Sequence, residues 1–137
     1  MRKLMNANDS KKTVLVVDDD TDFLTQMEVN LVDAGFNVVT KDGQTQAEEY
    51  LKENKPHLAI LDLMMEQMDG GFALSYHIKK LDSSIPVIIV SAVSSETGIE
   101  FDAATDEERS WVKADAFLSK PIRFEQLVKE INKLMKN

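Results

Sequence analysis

The chain has 137 residues and carries 16 Lys and Arg against 24 Asp and Glu, which gives a formal net charge of −8. With 43% hydrophobic residues, five Gly and three Pro, the composition is typical of one soluble globular domain and not of a linker, a coiled coil or a collagen-like chain. The absence of Cys excludes disulfides, thiolate metal sites and a Cys nucleophile. The excess of acids argues against nucleic-acid binding. Without a long apolar run or a signal-peptide core, the chain is expected to be cytoplasmic and not membrane-bound.

Short apolar runs alternate with helical patterns along the chain. The β-branched run Thr13–Val17 predicts a buried strand, and the spacing of Leu24, Met27 and Leu31 predicts a helix that Gly35 ends. Further strands are predicted at 36–40, 58–61, 86–90 and 116–118, and further helices by stripes through Ala47 and Leu51, through Leu74, Ile78 and Leu81, and through Phe124, Leu127, Ile131 and Met135. This alternation predicts an α/β domain, a five-stranded parallel sheet with helices on both faces.

Two segments depart from the alternation. Residues 1–11 are polar and are predicted to be a flexible arm before a domain at 12–137. The connection between Ser91 and Ala114 is long and acidic, and the capping-box spacing at 105–108 predicts a short helix at 106–113. The acidic residues there fit a solvated loop as well as a partner surface.

Polar residues follow four of the predicted strands, at the edge where ligands bind to open parallel sheets. Each has a structural explanation when taken alone, and Asp20 is interpreted as the N-cap of the first helix. Their coincidence at the ends of four strands instead predicts one shared site. The proposed members are Asp18, Asp19, Asp62, Ser91 and Lys120.

Carboxylates gathered in this way repel one another unless a cation neutralises them. Because only oxygen ligands are available, Mg²⁺ is the expected metal. An Asp beside Mg²⁺ can act as a nucleophile towards phosphorus, with Lys120 supplying a charge and Ser91 a hydrogen bond to the phosphoryl group. No P-loop motif is present, so nucleotide binding by that route is not expected.

Four segments of this chain resemble the receiver domain of two-component response regulators. They are VLVVDDD (14–20), LAILDLMMEQMDG (58–70), PVIIVSA (86–92) and ADAFLSKPI (114–122), and the resemblance covers about residues 12–136. It implies a flavodoxin-like sheet of order 2-1-3-4-5 and a cis Lys120–Pro121 bond.

The resemblance also implies roles for individual residues. Asp62 would be the phosphoacceptor, assisted by Lys120 and Ser91, with Ser91 and Phe117 as switch residues. The Mg²⁺ ligands would be Asp19, Asp18 largely through water, Asp62, and the backbone carbonyl of Met64.

The implied function is a stand-alone phosphoacceptor switch of a phosphorelay. A histidine kinase or phosphotransfer protein would phosphorylate Asp62, and the surface at 93–120 would change for an unidentified protein partner, with a homodimer as one outcome. The chain would catalyse its own phosphorylation and dephosphorylation without being a conventional enzyme. No output domain is expected, because Asn137 lies just past the last helix.

Three other functions share the fold or part of the chemistry. A phosphate-independent docking module would have the same fold. An aspartate-nucleophile phosphatase normally needs a second acid two residues after the nucleophile, where this chain has Met64. A flavodoxin-like electron carrier needs a hydroxyl- and Gly-rich loop after the first strand, where DDDTD would repel the flavin phosphate.

Overall fold

Strands and helices alternate along the chain in a computed structural model, which describes residues 11–63, 70–91 and 114–135. The strands are β1 (Thr13–Val17), β2 (Asn37–Lys41), β3 (Leu58–Asp62), β4 (Val87–Ser91) and β5 (Ala116–Ser119). The helices are α1 (Thr21–Asp33), α2 (Gln44–Leu51), α3 (Gly70–Leu81) and α4 (Phe124–Met135). None of the helices within these ranges has the length and apolar character needed to cross a membrane. The predicted helix at 106–113 and residues 1–10 of the predicted arm lie outside the described residues.

The strands of the described ranges form one parallel sheet in the order β2-β1-β3-β4-β5. This confirms the α/β fold class and the strand order that the resemblance implies. Residues 14–17 of β1 are fully buried, as expected for a strand covered on both faces. Because the strands are parallel, the residues that follow β1, β3 and β5 all lie at the same edge of the sheet.

The sheet separates two hydrophobic clusters, and alternate residues of each central strand point into opposite clusters. In β1, Leu15 and Val17 face the cluster covered by α2 and α3, whereas Val14 and Val16 face the one covered by α1 and α4. The buried helix residues are Ala47 and Leu51 of α2, Leu74 and Ile78 of α3, Leu24, Met27 and Leu31 of α1, and Leu127 and Ile131 of α4. The predicted placement of helices on both faces is therefore confirmed.

The second strand begins one residue later than predicted, at Asn37 instead of Phe36. The backbone N–H of Phe36 donates to the carbonyl of Leu31 at 3.0 Å, and that of Gly35 donates to Val32 at 3.0 Å, which together close the end of α1. Gly35 has a φ of 104°, the left-handed conformation that this helix ending requires. Phe36 thus completes the helix end, and the strand starts after it.

A hydrogen-bonded ion pair joins α3, β4 and β5 at the end of the sheet opposite the predicted site. The Lys79 ammonium donates to Asp115 Oδ2 at 2.7 Å and to the carbonyl of Ile85 at 2.7 Å. Asp115 Oδ2 also accepts from the backbone N–H of Val87 at 2.8 Å, while the N–H of Asp115 donates to the Val87 carbonyl at 2.8 Å. We call Lys79, Asp115 and the Val87 backbone the basal clamp.

We expect Lys79→Met to lower the free energy of unfolding by about 1–3 kcal/mol, because Asp115 and the Ile85 carbonyl lose their donor in a partly buried position. Chemical denaturation measures the loss. Lys52→Met is the matched control, since Lys52 pairs with Glu49 at 3.1 Å with both side chains about two-thirds exposed, and an exposed pair contributes about 0–1 kcal/mol. Equal losses in the two variants would contradict a stabilising role for the basal clamp.

Candidate phosphoacceptor and metal site

Two acids after β1 have distinct structural tasks. Asp18 is fully buried, and its Oδ1 accepts the backbone N–H of Asp20 at 2.9 Å. Asp20 caps α1, because its Oδ1 accepts the N–H groups of Asp22 at 3.1 Å and Phe23 at 3.2 Å. The interpretation of Asp20 as an N-cap is therefore confirmed. The turn that Asp18 stabilises also sets where α1 begins.

Asp62 is the last residue of β3, where its backbone lies opposite Val90 of β4. It is 7% exposed, so its carboxylate is almost as buried as that of Asp18. One carboxylate oxygen from each of Asp18, Asp19 and Asp62 lies within 4.8 Å of the others, and Asp19 is the exposed member of the three. We call these three residues the acidic cluster. Its all-oxygen donor set suits a hard divalent cation, and its exposed acid faces the solvent from which the cation would come.

Lys120, directly after β5, places a positive charge against the acidic cluster. Its Nζ donates to Asp18 Oδ2 at 2.8 Å and lies 3.9 Å from Asp62 Oδ1. The side chain is 21% exposed. The ammonium also lies 4.5 Å from the centroid of the Phe23 ring. The Lys120 ammonium thus lies between two buried carboxylates and the face of an aromatic ring.

The pKa of Lys120 lies above its ordinary value. Partial burial acts to lower this pKa, but the hydrogen bond to Asp18 and the charges of Asp18, Asp62 and Asp20 outweigh burial. The contribution of Lys120 to stability is therefore fully present below the ordinary pKa of 10.5 and is lost only as the pH rises above it. Lys120 therefore stays charged throughout the neutral range.

The structure brings together four of the residues that the sequence places in one site, namely Asp18, Asp19, Asp62 and Lys120. The Lys120–Pro121 bond is cis, as the resemblance implies. Ser91 ends β4 opposite Ser119. Its side chain, like the whole of Met64, lies outside what the structure describes.

Phe117 and Phe23 occupy opposite faces of the sheet. Phe117 is half-buried on β5 and packs against the cluster under α2 and α3, and Phe23 packs against the cluster under α1 and α4. Sequence reasoning used Phe23 only as the start of a helical pattern and missed its contact with Lys120. The available signal was an aromatic residue three positions after an N-cap, on a turn that faces the site.

The sequence matches the family described as the response regulator receiver domain over residues 14–132, and the chain belongs to this family. The chemotaxis protein CheY of Bacillus subtilis is 32% identical over 123 residues, which are 89% of this chain and 96% of CheY. The transcriptional regulatory protein PrrA of Mycobacterium tuberculosis is 31% identical over 134 residues, 96% of this chain and 53% of PrrA. The chain thus spans about half the length of PrrA.

Solved structures share the fold. The response regulator TrrA of Thermotoga maritima, crystallised in complex with Mg(2+)-BeF, matches with a TM-score of 0.73 at 24% identity, covering 90% of this chain and 98% of TrrA. This chain therefore shares its fold with a solved response regulator.

We expect Mg²⁺ to raise the melting temperature, because a cation that binds the folded acidic cluster shifts the unfolding equilibrium by mass action. A concentration about 100 times the dissociation constant adds about 2.7 kcal/mol to the free energy of unfolding. Asp19→Asn should remove most of this increase in a thermal melt. Asp33→Asn, which changes an exposed acid at the far end of α1, should leave it intact. An undiminished increase in Asp19→Asn would place the metal elsewhere.

Proposed function

We propose that this chain is a phosphoacceptor switch of a two-component phosphorelay, in which Asp62 receives a phosphoryl group from a histidine kinase or phosphotransfer protein. One observation carries the proposal: in a receiver-family chain, the buried carboxylate of Asp62 lies beside two further acids and 3.9 Å from the ammonium of Lys120. The chain would catalyse its own phosphorylation and dephosphorylation and would not act as a conventional turnover enzyme.

In the proposed transfer, a carboxylate oxygen of Asp62 attacks the phosphorus atom of a donor phosphohistidine. The new O–P bond forms as the N–P bond breaks, and the imidazole keeps the electron pair and takes up a proton. Lys120 needs only a short movement from Asp18 to meet a phosphoryl oxygen, where its charge stabilises the transition state. To end the signal, water attacks the phosphorus atom; the new O–P bond forms as the O–P bond to Asp62 breaks, and inorganic phosphate, a proton and the Asp62 carboxylate are released.

The acidic cluster supports Mg²⁺ as the cofactor of this transfer. When bound, the ion would neutralise the repelling carboxylates and the phosphoryl oxygens. Asp19 is suited to direct ligation because it is the exposed acid. Asp18 is suited to act through water, since its two oxygens already accept from the Asp20 backbone and from Lys120. TrrA, which has the same fold, was crystallised with magnesium. The proposed ligation by the Met64 carbonyl concerns a residue outside the described ranges.

The signal would leave the site through β5. Ser91 pairs with Ser119 along the sheet, one residue before Lys120, and Phe117 lies half-buried on the same strand. In our proposal, phosphorylation draws Ser91 and Phe117 inwards and changes the surface at residues 93–120, which a downstream protein partner or a second copy of the chain then binds. The proposed switch acts in the cytoplasm, with protein partners and not with nucleic acid or membranes.

We expect Asp62→Asn to abolish phosphorylation, because it replaces the attacking oxygen. Intact-protein mass is measured after incubation with a small acyl-phosphate donor, and separately with a phosphorylated phosphotransfer protein, each with and without Mg²⁺. The wild-type chain should gain one phosphoryl group only with Mg²⁺, and so should the control Asp33→Asn. No adduct from either donor would contradict the proposal and favour a phosphate-independent docking module.

A further inference from the structure

The ring of Phe23 forms one wall around the ammonium of Lys120. The distance from Nζ to the ring centroid is 4.5 Å, well inside the range of about 6 Å over which an aromatic face attracts a cation. The same Nζ donates to Asp18 Oδ2 at 2.8 Å. Lys41 and Lys80 lie 5.7 Å from the ring centroids of Tyr50 and Tyr76, so the contact of Lys120 with Phe23 is closer than either of these.

Two independent constraints hold the Phe23 ring in this position. Its backbone N–H donates to Asp20 Oδ1 at 3.2 Å, which ties the residue to the capped first turn of α1. Its side chain packs against the hydrophobic cluster under α1 and α4. A ring that is anchored at both the backbone and the side chain provides a fixed surface, whereas a lysine side chain has four rotatable bonds and loses much entropy when it is immobilised.

We infer that Phe23 is a positioning residue for Lys120, and that it sets the rate at which Asp62 is phosphorylated; this inference rests on the proposed function. The Phe23 ring covers one side of the Lys120 ammonium, and the side that faces the carboxylates of Asp18 and Asp62 stays open. Lys120 is thereby kept within a short movement of Asp62, and the protein need not order a solvated lysine during phosphoryl transfer.

The effect requires the aromatic face and not merely an apolar residue. In a Phe23→Leu variant, the leucine would occupy the same half-buried position and keep the apolar pattern of the helix. It would have no negative ring face to attract the Lys120 ammonium. Tyrosine keeps the face. The contact survives a displacement of Nζ by about 1 Å, because the attraction extends to about 6 Å. Phe23 can thus hold Lys120 both on Asp18 and on its way to a phosphoryl group at Asp62.

The kinetic test measures the rate of phosphorylation by a small acyl-phosphate donor at saturating Mg²⁺. We expect Phe23→Leu to slow the reaction roughly three- to tenfold, and Phe23→Tyr to restore at least half of the wild-type rate. Phe36→Leu is the matched control, because Phe36 packs against the same hydrophobic cluster at the other end of α1, and its rate should equal that of the wild type. A rate for Phe23→Leu within about twofold of the wild type, or a faster one, would overturn the inference.

A spectroscopic test reports the contact itself. In protein labelled at lysine, the ring current of Phe23 should shift the Cε protons of Lys120 upfield in the wild type, in Phe23→Tyr and in Phe36→Leu, and the shift should vanish in Phe23→Leu. A Lys120 signal at the ordinary lysine position in the wild type would overturn the inference.

The two proposals fail in different ways. A wild-type chain that is not phosphorylated counts against the proposed function. Normal phosphorylation of the wild type with no effect of Phe23→Leu counts against the role of Phe23 alone.

Discussion

The ion pair between Asp18 and Lys120 is the interaction on which the arrangement of the site depends. Asp18 is fully buried, and a buried carboxylate without a partner is strongly destabilising. Its partner lies 102 residues away in the sequence, at the end of the edge strand β5. To meet Asp18, Lys120 must pass the end of β3, where Asp62 lies. Because Lys120 neutralises Asp18, it also lies close to Asp62.

This dependence links the stability of the fold to the chemistry of the site. Asp18 accepts from both the Asp20 backbone and Lys120, so it shapes the entry into α1 and holds the cation at once. The cap at Asp20 then sets the position of Phe23. The six residues after β1, Asp18 to Phe23, thus supply two acids of the acidic cluster, a helix cap and the ring beside Lys120. Any ligand that attracts Lys120 also acts on the interactions that hold this turn.

The sequence predicted the fold class and most of the site, because both depend on short-range patterns. Alternation of apolar runs located every described strand to within one residue, and the residue after each strand identified Asp18, Asp62 and Lys120. The strand order came from the family resemblance, since periodicity carries no information about neighbours. The predicted strand wrongly included Phe36. Its backbone N–H donates to the carbonyl of Leu31 at the end of α1, and the sequence pattern does not reveal this hydrogen bond. The contacts of Lys79 and Phe23 escaped because each joins elements far apart in sequence.

The basal clamp has a mechanical consequence for β5. Asp115, just before the strand, is fixed to α3 through Lys79 and to β4 through the Val87 backbone. Only four residues separate that anchored end from Lys120. These contacts oppose a sliding of β5 along its axis if Lys120 is pulled towards a phosphoryl group at Asp62. In the proposed switch, any displacement of β5 would therefore be smallest at Asp115 and largest at the edge where the acids lie.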